Sequence, residues 1–170
     1  MAESLALGEA LPRLQVGVDG VSAGIQSAVS NVRFTVSNNI EDVEAVWRQL
    51  EASGVVSPGQ NYDFIKLWIG AREIAPSRQV FVVAEIGGAP IALLPLLRRS
   101  RKGIRLLTWF PGPHVGCNAP LVDAKRLAAL APAERAALWK QVARALSGAD
   151  VLYLPAIPEQ AFGYQGLFSE

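Results

Sequence analysis

The strongest pattern in the chain is three apolar runs separated by short polar breaks, VFVVAEIGGAPIALLPLLRRSRKGIRLLTWF, from Val80 to Phe110. Val80–Ile86 is almost unbroken and rich in Val and Ile, which predicts a strand covered on both faces. Gly87 and Gly88 tolerate positive φ, the requirement of a two-residue hairpin. Pro90–Leu97 is the returning strand. The polar tip RRSRKG turns the chain again with Gly103 in the left-handed position, and Ile104–Phe110 completes a three-stranded antiparallel meander. Pro95, lacking an N–H, predicts an edge position or a bulge.

Upstream, Arg33–Ser37 alternates like a short strand. In IEDVEAVWRQLEAS, Ile40, Val43, Val46, Trp47 and Leu50 recur at helical spacing. Asn38 with Glu41 predicts a capping box, and Gly54 a helix stop. Val55–Gln60 reads as a turn. A second helix is predicted over Tyr62–Glu73, capped by Asn61, turning Phe64, Leu67, Trp68 and Ala71 inward, with Pro76 barring its continuation. Downstream, PGPHVGCNAPLVD reads as a loop and Ala124–Leu130 as one helical turn or two. Pro132 suits the first position of a helix that ends at Gly148, with Leu138, Val142, Ala145 and Leu146 inward. Val151–Leu154 is a short strand closed by Pro155 and Pro158.

The resulting order, β-α-α-β-β-β-α-β, is not the alternation of a doubly wound sheet. It predicts an α+β (mixed α/β) fold, a mainly antiparallel mixed sheet with a central meander flanked by helices. Residues 1–32 show no sustained period and read as a flexible leader, 33–158 as one domain, and 159–170 as a loop-like tail.

Composition narrows the function classes. The 170 residues carry a net charge of +1, so no global attraction to nucleic acid or anionic lipid is expected. No apolar run reaches the length of a membrane span. A single cysteine excludes an internal disulfide framework and fits a reducing compartment, and no secretory signal is read at the N-terminus; a cytoplasmic location is expected.

Several stretches resemble the GNAT N-acetyltransferase superfamily, more narrowly the CelD-like acyltransferases related to the FemAB aminoacyl transferases. They are Trp47 and Leu50, the Ser57-Pro58-x-Gln60 turn leading to Phe64 and Trp68, and Val82-Val83-Ala84 before the Gly-Gly hairpin. Ala92-Leu93-Leu94-Pro95-Leu96 with Arg98-Arg99, Leu106-Leu107 with Trp109, Pro120-Leu121-Val122 and Asp150 to Leu154 continue the pattern, covering about Arg33 to Pro158. The resemblance implies a GNAT-like sheet and acyl transfer from acyl-CoA (acetyl-CoA) to an amine. It also implies that this stretch is the front half of a longer protein, the tail being the start of a missing second half. Partners implied are that second GNAT-like half or a homo-oligomer formed through an open sheet edge.

The family holds the CoA pyrophosphate on a loop of the form Gln/Arg-x-x-Gly-x-Gly/Ala at a helix N-terminus. The corresponding stretch here is Gly112-Pro113-His114-Val115-Gly116, where Pro113 lacks a donor and no Gln or Arg leads. Gln160 to Gln165 is the nearest literal match and lacks the small final residue. A non-catalytic half is therefore expected, with no cofactor assigned to this chain's own residues. A helix start and a strand end border the family's cleft, so the substrate-cleft candidates are Tyr62 and Trp109, with His114 in the following loop.

The remaining chemistry has ordinary explanations. His114 and Cys117 share a loop, yet no orienting acid is evident, and one His with one Cys makes a metal site improbable. Glu41, Asp42, Asp63 and Asp123 each suit a cap or turn, so no catalytic residue is assigned. Arg98, Arg99, Arg101, Lys102 and Arg105 are the only concentrated charge. Phosphate of a cofactor or a nucleic-acid backbone would suit them. A solvated hairpin tip guarding the sheet edge suits them better, because little aromatic character is interleaved, and no nucleic-acid partner is expected. The alternative to an acyltransferase is a non-catalytic interaction module.

Overall fold

The computed structural model describes residues 32–55, 57–111, 115–146, 148–158, 160–161 and 164–165. The predicted leader, apart from Val32, lies outside them. The chain forms β1 (Val32–Ser37), α1 (Glu44–Glu51), α2 (Tyr62–Ala71), β2 (Gln79–Ile86), β3 (Ala89–Arg101), β4 (Ile104–Trp109), β5 (Leu121–Val122), α3 (Ala124–Ala129), α4 (Pro132–Ala145) and β6 (Val151–Leu152). A small hairpin follows, β7 (Gln160–Ala161) with β8 (Tyr164–Gln165), where a loop is predicted.

The main sheet runs β1-β2-β3-β4-β6, and β5 also pairs with β3. All these pairings are antiparallel except β4 with β6, which is parallel. The fold is thus α+β with a mainly antiparallel sheet. Gly87 and Gly88 both take positive φ, as does Gly103, and Lys102 joins it at φ 50°. The second turn is therefore only Lys102–Gly103, and the arginines predicted at the tip belong to β3.

Alternation along β2 explains the double covering. Val80, Val82 and Ala84 face Leu127, Leu138, Val142 and Leu146 from α3, α4 and their ends. Phe81 and Val83 face Trp47, Leu50, Tyr62 and Ile65 from α1 and α2. Both sets are buried, so each face of the strand lies in a separate apolar layer.

Several expectations are corrected. The first helix opens as a 3-10 turn over Ile40–Val43, capped by Asn39 Oδ1, which accepts from Glu41 N–H; Asn38 instead donates to Gln79 O. In α2 Tyr62 and Ile65 are buried, Phe64 and Trp68 pack half-buried against the same layer as expected, and Leu67 is 71% exposed. That helix has apolar residues around most of its circumference, so the sequence period does not single out a face. The predicted loop after β4 contains β5, and the predicted strand Val151–Leu154 stops at Leu152.

Pro95 is neither at an edge nor at a bulge, although β2 and β3 do shift register near Ala84–Glu85. It marks a change of partner. β3 pairs with β5 at Ala92 and Leu93 and with β4 from Leu96 onward. The Pro95 carbonyl accepts from Phe110 N–H on that side, and strand geometry turns its ring nitrogen the same way, into the handover where no ladder bond is required.

Candidate functional site

Two features stand out where the sheet is incompletely covered, a knot beneath the loop after β4 and a groove running past Arg99. The knot is built by Ser57–Gln60. Gln60 is 0% exposed; its Nε2 donates to Pro120 O at 2.6 Å and its Oε1 accepts from Ser57 N–H at 3.1 Å. Trp47 Nε1 donates to Gln60 O at 2.7 Å. Gly59 is packed so closely that a Cβ there would sit 3.1 Å from Phe110 O and 3.2 Å from Asn118 Oδ1. The Ser-Pro-x-Gln turn therefore fixes where the chain leaves β4 and returns as β5.

The groove follows from unequal strand lengths. β2 stops pairing at Gln79–Leu97, whereas β3 continues to Arg101 with only β4 beside it. The 3-10 turn Pro76–Arg78 lies against this overhang, and Arg98 donates to Ser77 O at 2.7 Å. A hollow of about 710 Å³ is lined by Ser77, Arg78, Arg98, Arg99, Ser100 and Arg105. A second, of about 370 Å³, shares Arg78 and Arg99 and adds Arg72, Trp68 and Pro111. A third, of about 430 Å³, shares Arg99 and Ser100 and runs over Leu106, Thr108, Tyr153 and Pro155.

The third hollow borders a fork. β4 and β6 pair at Leu106–Val151 and Leu107–Leu152, and Tyr153 N–H reaches Leu107 O at 2.8 Å. The ladder ends there although β4 runs on to Trp109, and Ala156 O accepts from Asn118 N–H instead. On the opposite face, a hollow of about 450 Å³ is lined by Leu94, Trp139, Val142, Leu152, Leu154 and Ile157 among others. Arg105 holds the base of the fork, bonding both Asp150 oxygens by its side chain and one by its N–H. These bonds hold the Asp150 carboxyl down at about 2, and the carboxylate pushes the guanidinium up.

The three cleft candidates fall in different places. Tyr62 is buried between the first helices and is not among the residues lining these hollows. Its hydroxyl donates to Glu44 at 3.0 Å, and Arg48 lies 4.5 Å above its ring. Burial, then the Glu44 bond, pushes the phenol upward. Arg48 clamps Asp63 at 2.6 and 2.8 Å, pulling that carboxyl down, so this corner staples α1 to α2. Trp109 is 1% exposed in the layer beneath α4, with no hydrogen-bond partner for its indole N–H. His114, with Gly112 and Pro113, lies outside the described residues. Cys117 is half-buried, and among the described residues no group of His, Cys, Asp and Glu is gathered for a metal ion.

Sequence reading finds Arg98 and Arg99 but not Arg72 and Arg78, which join them only because the turn after α2 packs on the β3 overhang. Two arginines in REIAPSR, six residues apart, are the only signal available. No known family, curated protein or solved structure matches the chain. No helix among the described residues is long and apolar enough to cross a membrane.

Proposed function

We propose that this chain is the non-catalytic front half of a GNAT-like, acyl-CoA-dependent N-acyltransferase, taking part in acyl transfer to an amine. The observation that carries this reading is the fork. Such folds splay a sheet between neighbouring strands to admit the acyl-pantetheine arm, and here two parallel strands pair briefly and then separate beside apolar hollows. The crossover through α4, which brings β6 to lie parallel to β4, also supports the reading.

In the intact enzyme the amine attacks the thioester carbonyl, a general base takes its proton, backbone amides stabilise the oxyanion, and collapse of that intermediate breaks the C–S bond and releases CoA as its thiol. No residue of this chain is assigned to those steps, and Pro113 lacks a donor where a phosphate-cradling loop uses one. The chain's part is to shape the pocket and orient the acyl arm along β4.

Acetyl-CoA should raise the thermal midpoint of the isolated chain, because a ligand held by the native state stabilises it; at ten times Kd the gain is about 1.4 kcal/mol. Leu152→Trp, which fills the hollow beside the fork, should remove that rise without unfolding the protein. An unchanged midpoint at millimolar acetyl-CoA would refute the reading. A second reading, an interaction module, is favoured by one observation: Ile104, Val151, Leu152 and Tyr153 are 38–59% exposed around the last strand of the sheet. Concentration-dependent sedimentation, lost in Tyr153→Ser, would support it.

A further inference from the structure

We propose that the groove around Arg78 and Arg99 is a binding site for the diphosphate of a small molecule. The inference concerns residues other than those around the fork, and it stands whether the diphosphate belongs to acyl-CoA or to another small molecule. Its basis is the convergence of arginines from three pieces of chain: Arg72 just after α2, Arg78 in the turn before β2, and Arg99 on the overhang of β3. None of the residues lining these two hollows is acidic.

The arginines differ in how far they are committed. Arg105 is occupied by Asp150, Arg98 by the Ser77 carbonyl, and Arg72 stacks 4.8 Å from the Trp68 ring. Among the described residues the guanidiniums of Arg78 and Arg99 have neither an acidic nor a hydrogen-bonded partner, and both residues line the two hollows that meet there. Planar guanidinium forks match phosphate oxygens in pairs, which makes arginine more selective than a lone ammonium. Neutral donors are close by. Ser77 and Ser100 contribute hydroxyls, and ladder alternation turns the N–H groups of Arg98 and Ser100 away from β4 toward the groove.

Size and charge balance favour a small ligand over a nucleic-acid backbone. The positive groups gather in one groove of a chain whose net charge is only +1, whereas backbone binding relies on an extended basic surface. The two uncommitted guanidiniums, with Arg72 beside them, match the two to three negative charges of a diphosphate.

The test is calorimetric titration with inorganic pyrophosphate and with orthophosphate at constant ionic strength. Pyrophosphate should bind at least tenfold more tightly. Arg78→Gln and Arg99→Gln should each weaken it about tenfold, while Lys102→Gln at the hairpin tip should leave it unchanged. Without any substitution, pyrophosphate should protect Arg78 and Arg99, but not Arg144, from phenylglyoxal as read by mass spectrometry. Equal binding of both anions, equal loss in Lys102→Gln, no protection, or binding confined to single-stranded oligonucleotides with steep salt dependence would each overturn the proposal.

Discussion

Replacing Gln60 with Ala should be among the most damaging single changes in the chain, and its cost can be worked from the hydrogen bonds. The side chain is completely buried and serves two main-chain groups, the N–H of Ser57 and the carbonyl of Pro120. Alanine leaves both without a partner. Each orphaned buried group costs about 1–3 kcal/mol, so the pair costs about 2–6 kcal/mol, with a further penalty for the space vacated. A recruited water would recover part of this. The expectation is about 4 kcal/mol, a large share of the ~5–15 kcal/mol by which domains are stable.

Urea unfolding followed by tryptophan fluorescence reads this loss directly, with the midpoint falling and the slope unchanged. Gln60→Glu sharpens the test. It keeps the acceptor for Ser57 N–H but places an oxygen against the Pro120 carbonyl. Burial raises the folded pKa of that carboxyl above its unfolded value near ~4.3, so the variant is penalised increasingly as pH rises past that value. Lowering the pH toward about 4 protonates it, restores a donor to Pro120, and should narrow the gap to wild type. A loss below about 1 kcal/mol for Gln60→Ala, or a gap for Gln60→Glu that ignores pH, would refute the claim that this amide ties the two loops together.

Two further outcomes follow from the ion pairs. Asp150 has a folded pKa depressed to about 2, so its contribution is present above its unfolded value near ~3.9 and disappears as pH falls toward 2; Asp150→Asn should lower the midpoint above that window, flatten the midpoint-versus-pH curve within it, and converge on wild type near pH 2. Tyr62→Phe removes the bond to Glu44 and should cost about 1 kcal/mol in urea unfolding, while leaving any midpoint rise with acetyl-CoA intact, because the phenol staples α1 to α2 and lines none of the hollows beside the fork.

The meander was legible because its signals are local. Gly-Gly and Lys-Gly supply positive φ next to β-branched runs, so the first turn is placed to the residue and the second at Gly103, although its arginines belong to β3. Helix caps were legible where the side chain bonds within its own turn, as at Asn61 and Asp123. What the sequence hides is set by lengths and partners. Nothing in LLRRSR says that β2 will end four residues before β3 does, and that difference alone turns two tip arginines into the wall of a groove. Likewise Leu121–Val122 is too short to carry a period, and becomes a strand only because β3 has backbone groups unclaimed at Ala92–Leu93. Tyr62 read as a cleft residue because it begins a helix, but a helix with apolar residues on most sides chooses its buried face through tertiary packing.

One length mismatch generates most of the site. With thirteen residues, β3 outruns its neighbours and must change partners, from β5 to β4, with Pro95 at the change. Since β5 occupies the far part of β3, β4 cannot follow it beyond Phe110, and the chain turns away beside the point where β6 loses its ladder. A proline in a buried interior strand is ordinarily a defect, and replacing it should stabilise the sheet by restoring a donor. The handover geometry predicts the opposite sign. Pro95→Ala would set a new N–H opposite Phe110, whose N–H already bonds the Pro95 carbonyl and whose own carbonyl packs against Gly59, and would vacate the buried ring contacts, for a net cost of about 1–3 kcal/mol. Urea unfolding decides between the two. A variant as stable as wild type or more so would mean that the strands meet continuously at Pro95 and that the fork has another origin.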